Sequence, residues 1–366
     1  MPAIDALFDE LIKRGGSDLH LAVNQPPLCR VRGELGVLRD APVLAKELEE
    51  MLLELVTPAQ RNKLASDLDL DVSIPYNEAG RFRASLFVKH PGIAATFRLV
   101  PMRVPSLSEL GCPESLWKLA DRRSGLIIVA GPAANGKTTT TAALVDHVNK
   151  TRACHVVTIE SPIEFVHEPL RAQVSQYEVG AHVPSVAVAL RQAARDNADV
   201  VFVSELASPE EIELALALAA DGVLVITNMA TSGAAASLDR LLRSFPADRQ
   251  NRCRGLLADA LAGIIVQHLV RGVDAKSRTV VHEIVVGSPA VSALVRENDL
   301  DALGAILKAG AGGMQSLDGG LERLLLGGKI SPELALERAI DKESIARIIA
   351  RARPEALVDT VLSEKR

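Results

Sequence analysis

The segment GPAANGKT, residues 131–138, has the residue types and spacing of a phosphate-binding loop. It fits G-x-x-x-x-G-K-[ST], in which glycines let successive backbone N–H groups face phosphate oxygens at the positive end of a helix. Lys137 would reach the β- and γ-phosphates, and the Thr138 hydroxyl would ligate Mg²⁺. An apolar, strand-like run precedes the loop and a helix-like segment follows it, as this motif requires. The sequence therefore predicts a site for a nucleotide and Mg²⁺, with six candidate nucleotide-binding residues: Gly131, Asn135, Gly136, Lys137, Thr138 and Thr139.

Two acidic segments follow apolar runs that are typical of buried strands. Glu205 ends the run DVVFVSE, and Glu160 and Glu164 lie in TIESPIEF after another such run. The carboxyl ends of parallel strands meet at one sheet edge, where α/β proteins bind ligands. An acid beside a phosphate loop can orient the attacking water and help to hold the metal. We therefore predict Glu205 as a catalytic and metal-binding residue and the other two as further catalytic acids, although acids are equally common at ordinary strand ends.

The stretch RFRASLF predicts a strand with arginines on one face. Arg81 and Arg83 point to one side of this strand and apolar residues to the other, because successive side chains of a strand alternate. Arg98 ends a neighbouring strand-like run. The pattern alone favours the solvated side of a sheet. A more specific interpretation makes these three arginines catalytic fingers that stabilise transferred phosphate in a neighbouring subunit.

Changes in hydrophobic pattern divide the 366 residues into parts. Residues 1–101 begin with an amphipathic helix and continue as alternating strands joined by tight turns such as 77–80, which is typical of an α+β domain. A proline-rich linker is predicted at 102–123. Short, continuously apolar runs alternate with helices over 124–287, which indicates a parallel sheet covered on both faces and an α/β fold class. Residues 288–366 are predicted to form a helical C-terminal region.

The overall composition excludes several classes of protein. A formal net charge of -5 argues against a main partner that is nucleic acid. Four cysteines are scattered without metal-ligand spacing, which predicts reduced thiols in a cytoplasmic protein. The start of the sequence has acids and helical spacing rather than the pattern of a signal peptide. The longest apolar region, LALALAADGVLVI, is too short to span a bilayer. Membrane contact would therefore go through a partner.

Several motifs occur together in a recognisable order. They include GGSDLHL, QPPLCRVRGEL, RFRASLF, FRLVP, the phosphate loop, TIESPIEFVHE, FPADRQNRCRGLLADALAGIIVQHLV and GMQSLDGGLERLLLGGKIS. Through these motifs the chain resembles the secretion-type ATPases of type IV pili and type II secretion. Within that group it resembles the pilus retraction ATPases. The resemblance covers roughly residues 4–335. Several ordered motifs are far more specific than a phosphate loop alone.

This resemblance implies a PAS-like N-terminal domain, a RecA-like P-loop ATPase domain and a hexameric ring with ATP between subunits. It assigns the finger role to Arg81, Arg83 and Arg98, and the role of the Walker B glutamate to Glu205. It makes Glu160 and Glu164 the remaining acids of the family's Asp box. It also implies an inner-membrane platform protein of the pilus as a partner, with the ATPase peripheral at that membrane.

Four motifs depart from the family pattern. The Asp box TIEDPIE has Ser161 at its aspartate, and the Walker B segment GEMRD has become the segment SELAS at 204–208. Val223 and Ala230 replace both histidines of the His box, and AIRNLIRE is replaced by AVSALVRE at 290–297. Each lost contact to a transition state costs about 2–4 kcal/mol of barrier by analogy with single-donor deletions. Nucleotide binding should survive these losses because the loop itself is intact.

Two functions remain open from the sequence. The leading hypothesis is a hexameric motor of the pilus retraction type that converts ATP hydrolysis into motion between domains. The alternative is an accessory or regulatory subunit that binds nucleotide with weak or no turnover and assembles with an intact paralogous ATPase. An unrelated kinase or GTPase would leave the motifs outside the phosphate loop unexplained.

Overall fold

The computed structural model describes residues 4–31, 33–77, 80–101, 103–274 and 277–352. The chain divides into two compact units. The first comprises Met1–Val104 together with Pro162–Val166, and the second comprises Pro105–Ser161 and His167–Arg366. The predicted domain boundaries at 101, 123 and 287 stay predictions. Part of the predicted turn at 77–80, residues 78 and 79, lies outside the described residues, as do residues 353–366 of the predicted C-terminal region.

The first unit combines helices with one antiparallel sheet. Its described elements, in chain order, are α1 (Asp5–Lys13), β1 (Gly16–Ala22), β2 (Leu28–Val31), β3 (Glu34–Val37), α2 (Ala45–Glu54), α3 (Pro58–Asp67), β4 (Asp69–Tyr76), β5 (Gly80–Lys89) and β6 (Gly92–Pro101). The strand order is β3-β2-β1-β6-β5-β4, and each neighbouring pair is antiparallel. This is the α+β arrangement that the alternating pattern predicts.

The core of the first unit lies between one face of the sheet and the helices. Phe8 of α1 stacks on Phe82 of β5 with ring centroids 3.8 Å apart, and both are fully buried together with Phe97 of β6. Along β5 the residues of even number are buried and those of odd number are not, from 82 to 87. One face of the sheet therefore packs into the core, and the other face carries Arg81 and Arg83.

The second unit is an α/β structure. Its described elements up to the end of the sheet are α4 (Glu114–Ala120), β7 (Gly125–Ala130), α5 (Lys137–Thr151), β8 (His155–Glu160), β9 (Gln173–Glu178), α6 (Val186–Arg195), β10 (Val200–Val203), α7 (Pro209–Ala220), β11 (Leu224–Met229), α8 (Ala234–Arg243), α9 (Ala247–Ala260), β12 (Leu261–Arg271) and β13 (Arg278–Val286). The strand order is β13-β12-β7-β11-β10-β8-β9. Every neighbouring pair is parallel except β12 with β13.

The central strands of this sheet are buried on both faces, as their continuous apolar runs predict. In β7, Leu126 and Ile128 belong to one hydrophobic cluster, whereas Ile127 and Val129 belong to another on the opposite side. Helix α4 lies within the predicted linker segment, and its Leu116 packs into the second of these clusters. The layered packing holds the carboxyl ends of the parallel strands at one edge of the sheet.

Helices follow the sheet to the end of the described chain. They are α10 (Pro289–Glu297), α11 (Leu303–Ala309), α12 (Leu317–Leu326), α13 (Pro332–Arg338) and α14 (Lys342–Ala352), with a single 3₁₀ turn at Ala311–Gly313. The last three helices share a hydrophobic cluster with Val270 of β12 and Val281 of β13. The helical character predicted beyond residue 288 is thus present through residue 352.

Candidate functional site: the phosphate loop and the adjoining sheet edge

The phosphate loop joins β7 to α5 in the arrangement that the motif requires. Gly136 has φ +79° and is the N-cap of α5, which begins at Lys137. A Cβ atom at Gly131 would lie 2.4 Å from the backbone oxygen of Gln267, so the chain passes too close to β12 for a side chain here. No acidic residue occupies the first turn of α5. The positive end of the helix is therefore well suited to an anion such as a phosphate.

Lys137 lies at the start of α5 and turns back over the loop. Its Nζ donates hydrogen bonds to the backbone oxygens of Gly131 at 2.8 Å and Pro132 at 2.9 Å. Burial lowers the pKa of the Lys137 ammonium below its ordinary value, and the negative charge of Glu205 opposes that change. Glu205 is consequently within electrostatic range of Lys137. Because β7, β11 and β10 pair in parallel, the cation of the loop and the acid that follows β10 lie at the same edge of the sheet.

Glu205 is exposed in the connection between β10 and α7. The same connection contains the altered Walker B segment. Ser208 is the N-cap of α7: its side chain accepts a hydrogen bond from the Glu211 backbone, and the Glu211 carboxylate accepts one from the Ser208 backbone. Serine and aspartate are both good N-caps. The replacement of the family's aspartate at Ser208 therefore preserves the start of α7 while removing a negative charge.

Glu160 is the last residue of β8 and is 4% exposed. Its carboxylate accepts hydrogen bonds from Thr158 Oγ1 at 2.7 Å and Gln176 Nε2 at 3.2 Å. β8 pairs in parallel with β10, so Glu160 and Glu205 emerge at the same edge of the sheet. The structure thus places two of the three predicted acids at the edge that carries the phosphate loop.

The other predicted site residues lie in the first unit. Glu164 belongs to Pro162–Val166, a segment assigned to that unit, and Ser161 before it is exposed. Arg83 and Arg98 face each other as a pair between β5 and β6. Arg83 forms an ion pair of 3.6 Å with Asp71. The places of these arginines and of Glu164 in a common catalytic site stay predictions.

A polar network around the loop was missed by the sequence analysis. Gln267 of β12 donates through Nε2 to the backbone oxygen of Asn135 at 2.6 Å and accepts through Oε1 from Thr140 Oγ1 at 2.7 Å. The Oγ1 atom of Thr141 lies 2.6 Å from Asn228 Oδ1 on β11. The one sequence signal for this network is a pair of polar residues, QH, inside the apolar run of β12.

The segment after β11 has lost the family's histidines but is well anchored. The backbone oxygen of Ala230 accepts a hydrogen bond of 2.9 Å from Arg240, and that of Ser232 lies 3.2 Å from His268 Nε2. Glu283 of β13 accepts a 2.7 Å hydrogen bond from the backbone N–H of Ala234, the first residue of α8. Burial raises the pKa of Glu283, and this hydrogen bond opposes the rise. The segment therefore keeps a fixed path without its histidines.

Comparison with known proteins places this fold and loop in a defined group. The family model described as type II/IV secretion system protein matches residues 1–312. The chain belongs to this family. A twitching motility protein of Neisseria gonorrhoeae is 37% identical over 87% of this chain and 86% of its own length. The type IV pilus retraction ATPase PilT of Pseudomonas aeruginosa is 37% identical over 89% of this chain and 95% of its own length.

The fold of this family member is also that of a solved relative. The crystal structure of the pilus retraction motor PilT with bound ADP superposes with a TM-score of 0.86 at 32% identity, covering 95% of this chain and 99% of that one. This match confirms the predicted fold class, an N-terminal α+β domain followed by a RecA-like ATPase domain. Across the described residues, no helix has the length and apolar character needed to cross a membrane.

The donor set fits magnesium held mainly by substrate and water. Among the described residues there is no cluster of three histidine, cysteine or acidic side chains that would bind a metal ion. Mg²⁺ does not need such a cage, because it usually keeps several waters and binds through one or two protein oxygens and substrate phosphates. The Thr138 hydroxyl in the first turn of α5 and the carboxylate of Glu205 are oxygens of this kind.

Proposed function

We propose that this chain is an ATP-hydrolysing motor subunit of the type IV pilus retraction type. The observation that carries the proposal is that Lys137, folded over the phosphate loop after β7, and Glu205, after β10, lie at the same edge of one parallel sheet, with β11 between the two strands. A cation for the phosphates and an acid for the water are the two protein groups that phosphoryl transfer to water needs most. Membership of the secretion family and similarity to a retraction ATPase support the assignment.

Each residue has a definite task in this mechanism. The backbone N–H groups of the loop and the start of α5 bind the phosphates, and Lys137 neutralises charge on them. Thr138 and Glu205 would hold Mg²⁺, which supplies further neutralisation of the phosphates when bound. Glu205 orients the attacking water, and Glu160 takes part as a buried acid at the same edge.

The remaining parts of the proposal concern assembly. The chain acts as a homo-oligomer, a hexamer, in which Arg81, Arg83 and Arg98 of one subunit serve the phosphate loop of the next. Glu164 completes the acidic site, and domain closure on ATP converts hydrolysis into movement. An inner-membrane platform protein of the pilus holds the ring at the cytoplasmic face of the membrane. The names of the relatives, a twitching motility protein and a pilus retraction ATPase, support this setting.

A second function is favoured by the altered motifs. The exposed Ser161 and Ala230 bring no charge or imidazole to positions where the family pattern has an aspartate and a histidine. In this second function the chain serves as a nucleotide-binding accessory subunit with weak or no turnover, and it assembles with an intact paralogous ATPase. Both functions need the same nucleotide site, so they differ in turnover and not in binding.

The deciding experiment measures nucleotide binding and Mg²⁺-dependent ATP hydrolysis on the same samples. The variants are Lys137→Ala and Glu205→Gln, and the matched controls are the exposed Lys118→Ala and Glu297→Gln. We expect the Lys137 variant to lose binding and turnover. The Glu205 variant should bind nucleotide with turnover reduced about 10²–10³-fold, and the controls should match the wild type. Tight binding by a wild-type protein without turnover would favour the accessory subunit, and absent binding would refute both functions.

A further inference from the structure

Gln267 is a buried polar residue in the middle of an apolar strand. It is 2% exposed, and the three residues before it in β12, Ile264, Ile265 and Val266, are fully buried. Both polar atoms of its carboxamide form hydrogen bonds: Nε2 donates to the Asn135 oxygen in the phosphate loop, and Oε1 accepts from Thr140 Oγ1 in α5. A buried amide is costly unless it is hydrogen-bonded, so these contacts determine how the side chain lies. The strand thereby holds the loop at one point and the first helical turn at another.

Asn135 is attached to β12 by its side chain as well. Its Oδ1 accepts a 2.6 Å hydrogen bond from the Leu269 backbone, while its Nδ2 donates to the Ala133 oxygen at 3.0 Å. The peptide that joins Asn135 to Gly136 has its carbonyl directed at Gln267. In a planar trans peptide the N–H group points opposite to the carbonyl. The Gly136 N–H is therefore turned away from β12.

We propose that Gln267 is a positioning residue that fixes the direction of the Gly136 N–H and so prepares the loop for phosphate. This inference rests on the proposed function, in which that N–H is one of the donors to the nucleotide. Gln267 acts through Asn135 and Thr140. Glutamine suits this place because it offers a donor to the carbonyl and an acceptor to the hydroxyl from one side chain. Methionine would fill a similar volume with neither group.

The test compares three variants of the full chain. Gln267→Met removes both hydrogen bonds of the carboxamide, one to the loop and one to α5, and Thr140→Val removes only the one to α5. Gln315→Met is the matched control: Gln315 is also buried, at 9% exposure, but its carboxamide bonds to the backbone oxygen of His282 and to Arg323 and not to the loop. The readouts are hydrogen exchange of the peptide 131–141 without nucleotide, affinity for a fluorescent ADP analogue, and the urea midpoint of unfolding.

Positioning and packing predict different results. We expect Gln267→Met to raise exchange of the loop peptide about five-fold and to weaken the ADP analogue about ten-fold. Thr140→Val should change both in the same direction by about two-fold. Gln315→Met should lower the urea midpoint and leave both loop readouts at the wild-type value.

Unchanged loop exchange in Gln267→Met, or an equal change in Gln315→Met, would overturn the inference. If Gln267→Met does not fold, unchanged loop exchange in Thr140→Val overturns it instead. Failure of the wild type to bind the ADP analogue would refute the proposed function. Loop exchange in the variants would still decide whether Gln267 fixes the loop, so the two failures are distinguishable.

Discussion

Arg98 donates a hydrogen bond of 2.8 Å from Nε to Asp18 Oδ1 between the paired strands β6 and β1. The Asp18 side chain is 5% exposed, whereas that of Arg98 is 65% exposed. Burial alone would raise the pKa of Asp18, but hydrogen bonds from Ser17 and Arg98 outweigh it and hold that pKa below its usual value. The buried carboxylate thus anchors one edge of the guanidinium and leaves most of the side chain accessible.

The Asp18 carboxylate should make stability depend on acid pH. Because its pKa is lower in the folded than in the unfolded chain, its contribution is present above the unfolded value of about 3.9 and is lost as pH falls through the folded pKa. We expect the unfolding free energy to fall less steeply below about pH 5 in Asp18→Asn than in the wild type. Urea denaturation between pH 3 and pH 7 measures this, and parallel curves for the two proteins would contradict it.

The finger role of the arginines predicts complementation between inactive variants. Arg83→Ala keeps an intact phosphate loop, and Lys137→Ala keeps intact arginines. If the arginines act on a neighbouring subunit, mixed oligomers contain sites with both an intact loop and an intact arginine, and ATP turnover should recover to about a quarter of wild type. The control mixes Lys137→Ala with Glu205→Gln. Each of these substitutions disables the nucleotide site of the subunit that carries it, so such a mixture contains no intact site. Equal recovery in the two mixtures would argue against fingers in trans.

Restoring the family's polar groups should raise turnover. The double variant Ser161→Asp with Ala230→His returns an acid and an imidazole to the positions of the altered Asp and His boxes. We expect kcat to rise about ten-fold or more with little change in nucleotide affinity, since such groups act mainly in the transition state. Val223→His alone is the comparison for a histidine added at the other altered position. A double variant whose gain lies only in affinity would show that these losses do not limit turnover.

Protonation of His282 should destabilise the folded protein as the pH falls below neutrality. It is 4% exposed on β13, and burial lowers the pKa of its imidazole to about 4, with the charge of Arg323 adding to the effect. The folded chain binds a proton at His282 less readily than the unfolded chain does. The contribution of the neutral imidazole to the free energy of unfolding is therefore fully present above about pH 6.5, and it declines towards pH 4 by at most about 1.4 kcal/mol per pH unit.

His282→Met removes this titration and fills a similar space. We expect a flatter dependence of the unfolding free energy on pH between about 4.5 and 6.5 than in the wild type. The buried His167, whose pKa burial also lowers to about 4, should account for part of the slope that remains. A wild-type slope in His282→Met would contradict the assignment.

The features predicted from the sequence are those encoded by nearby residues. The eight residues of the loop motif are contiguous, and their strand and helix flank them directly, so Gly131 and Lys137 could be placed from the pattern. Alternation within RFRASLF was enough to put Arg81 and Arg83 on the face opposite Phe82. Two strands, β12 and β9, are not delimited by such local signals. β12 begins at Leu261 directly after α9 ends at Ala260, with no turn residue to mark the change.

Contacts between distant segments could not be predicted in this way. Asn135 and Gln267 are 132 residues apart in sequence, and Ala234 and Glu283 are 49 residues apart. Their meeting depends on which strands become neighbours in the sheet, and a local pattern of polarity does not specify that order. β9 is hard to predict because QVSQYE is a short edge strand that is only partly buried, so its apolar signal is weak.

The tight passage of Gly131 beside Gln267 has a consequence for interpreting divergent relatives. Any larger residue at this position would collide with the backbone of β12, whether or not nucleotide ever binds. Purifying selection for a folded sheet would thus be sufficient to retain the first glycine of the motif in a descendant that had abandoned catalysis. An intact first glycine is therefore evidence only that the sheet folds correctly, and evidence for a working motor has to come from Lys137 and Glu205.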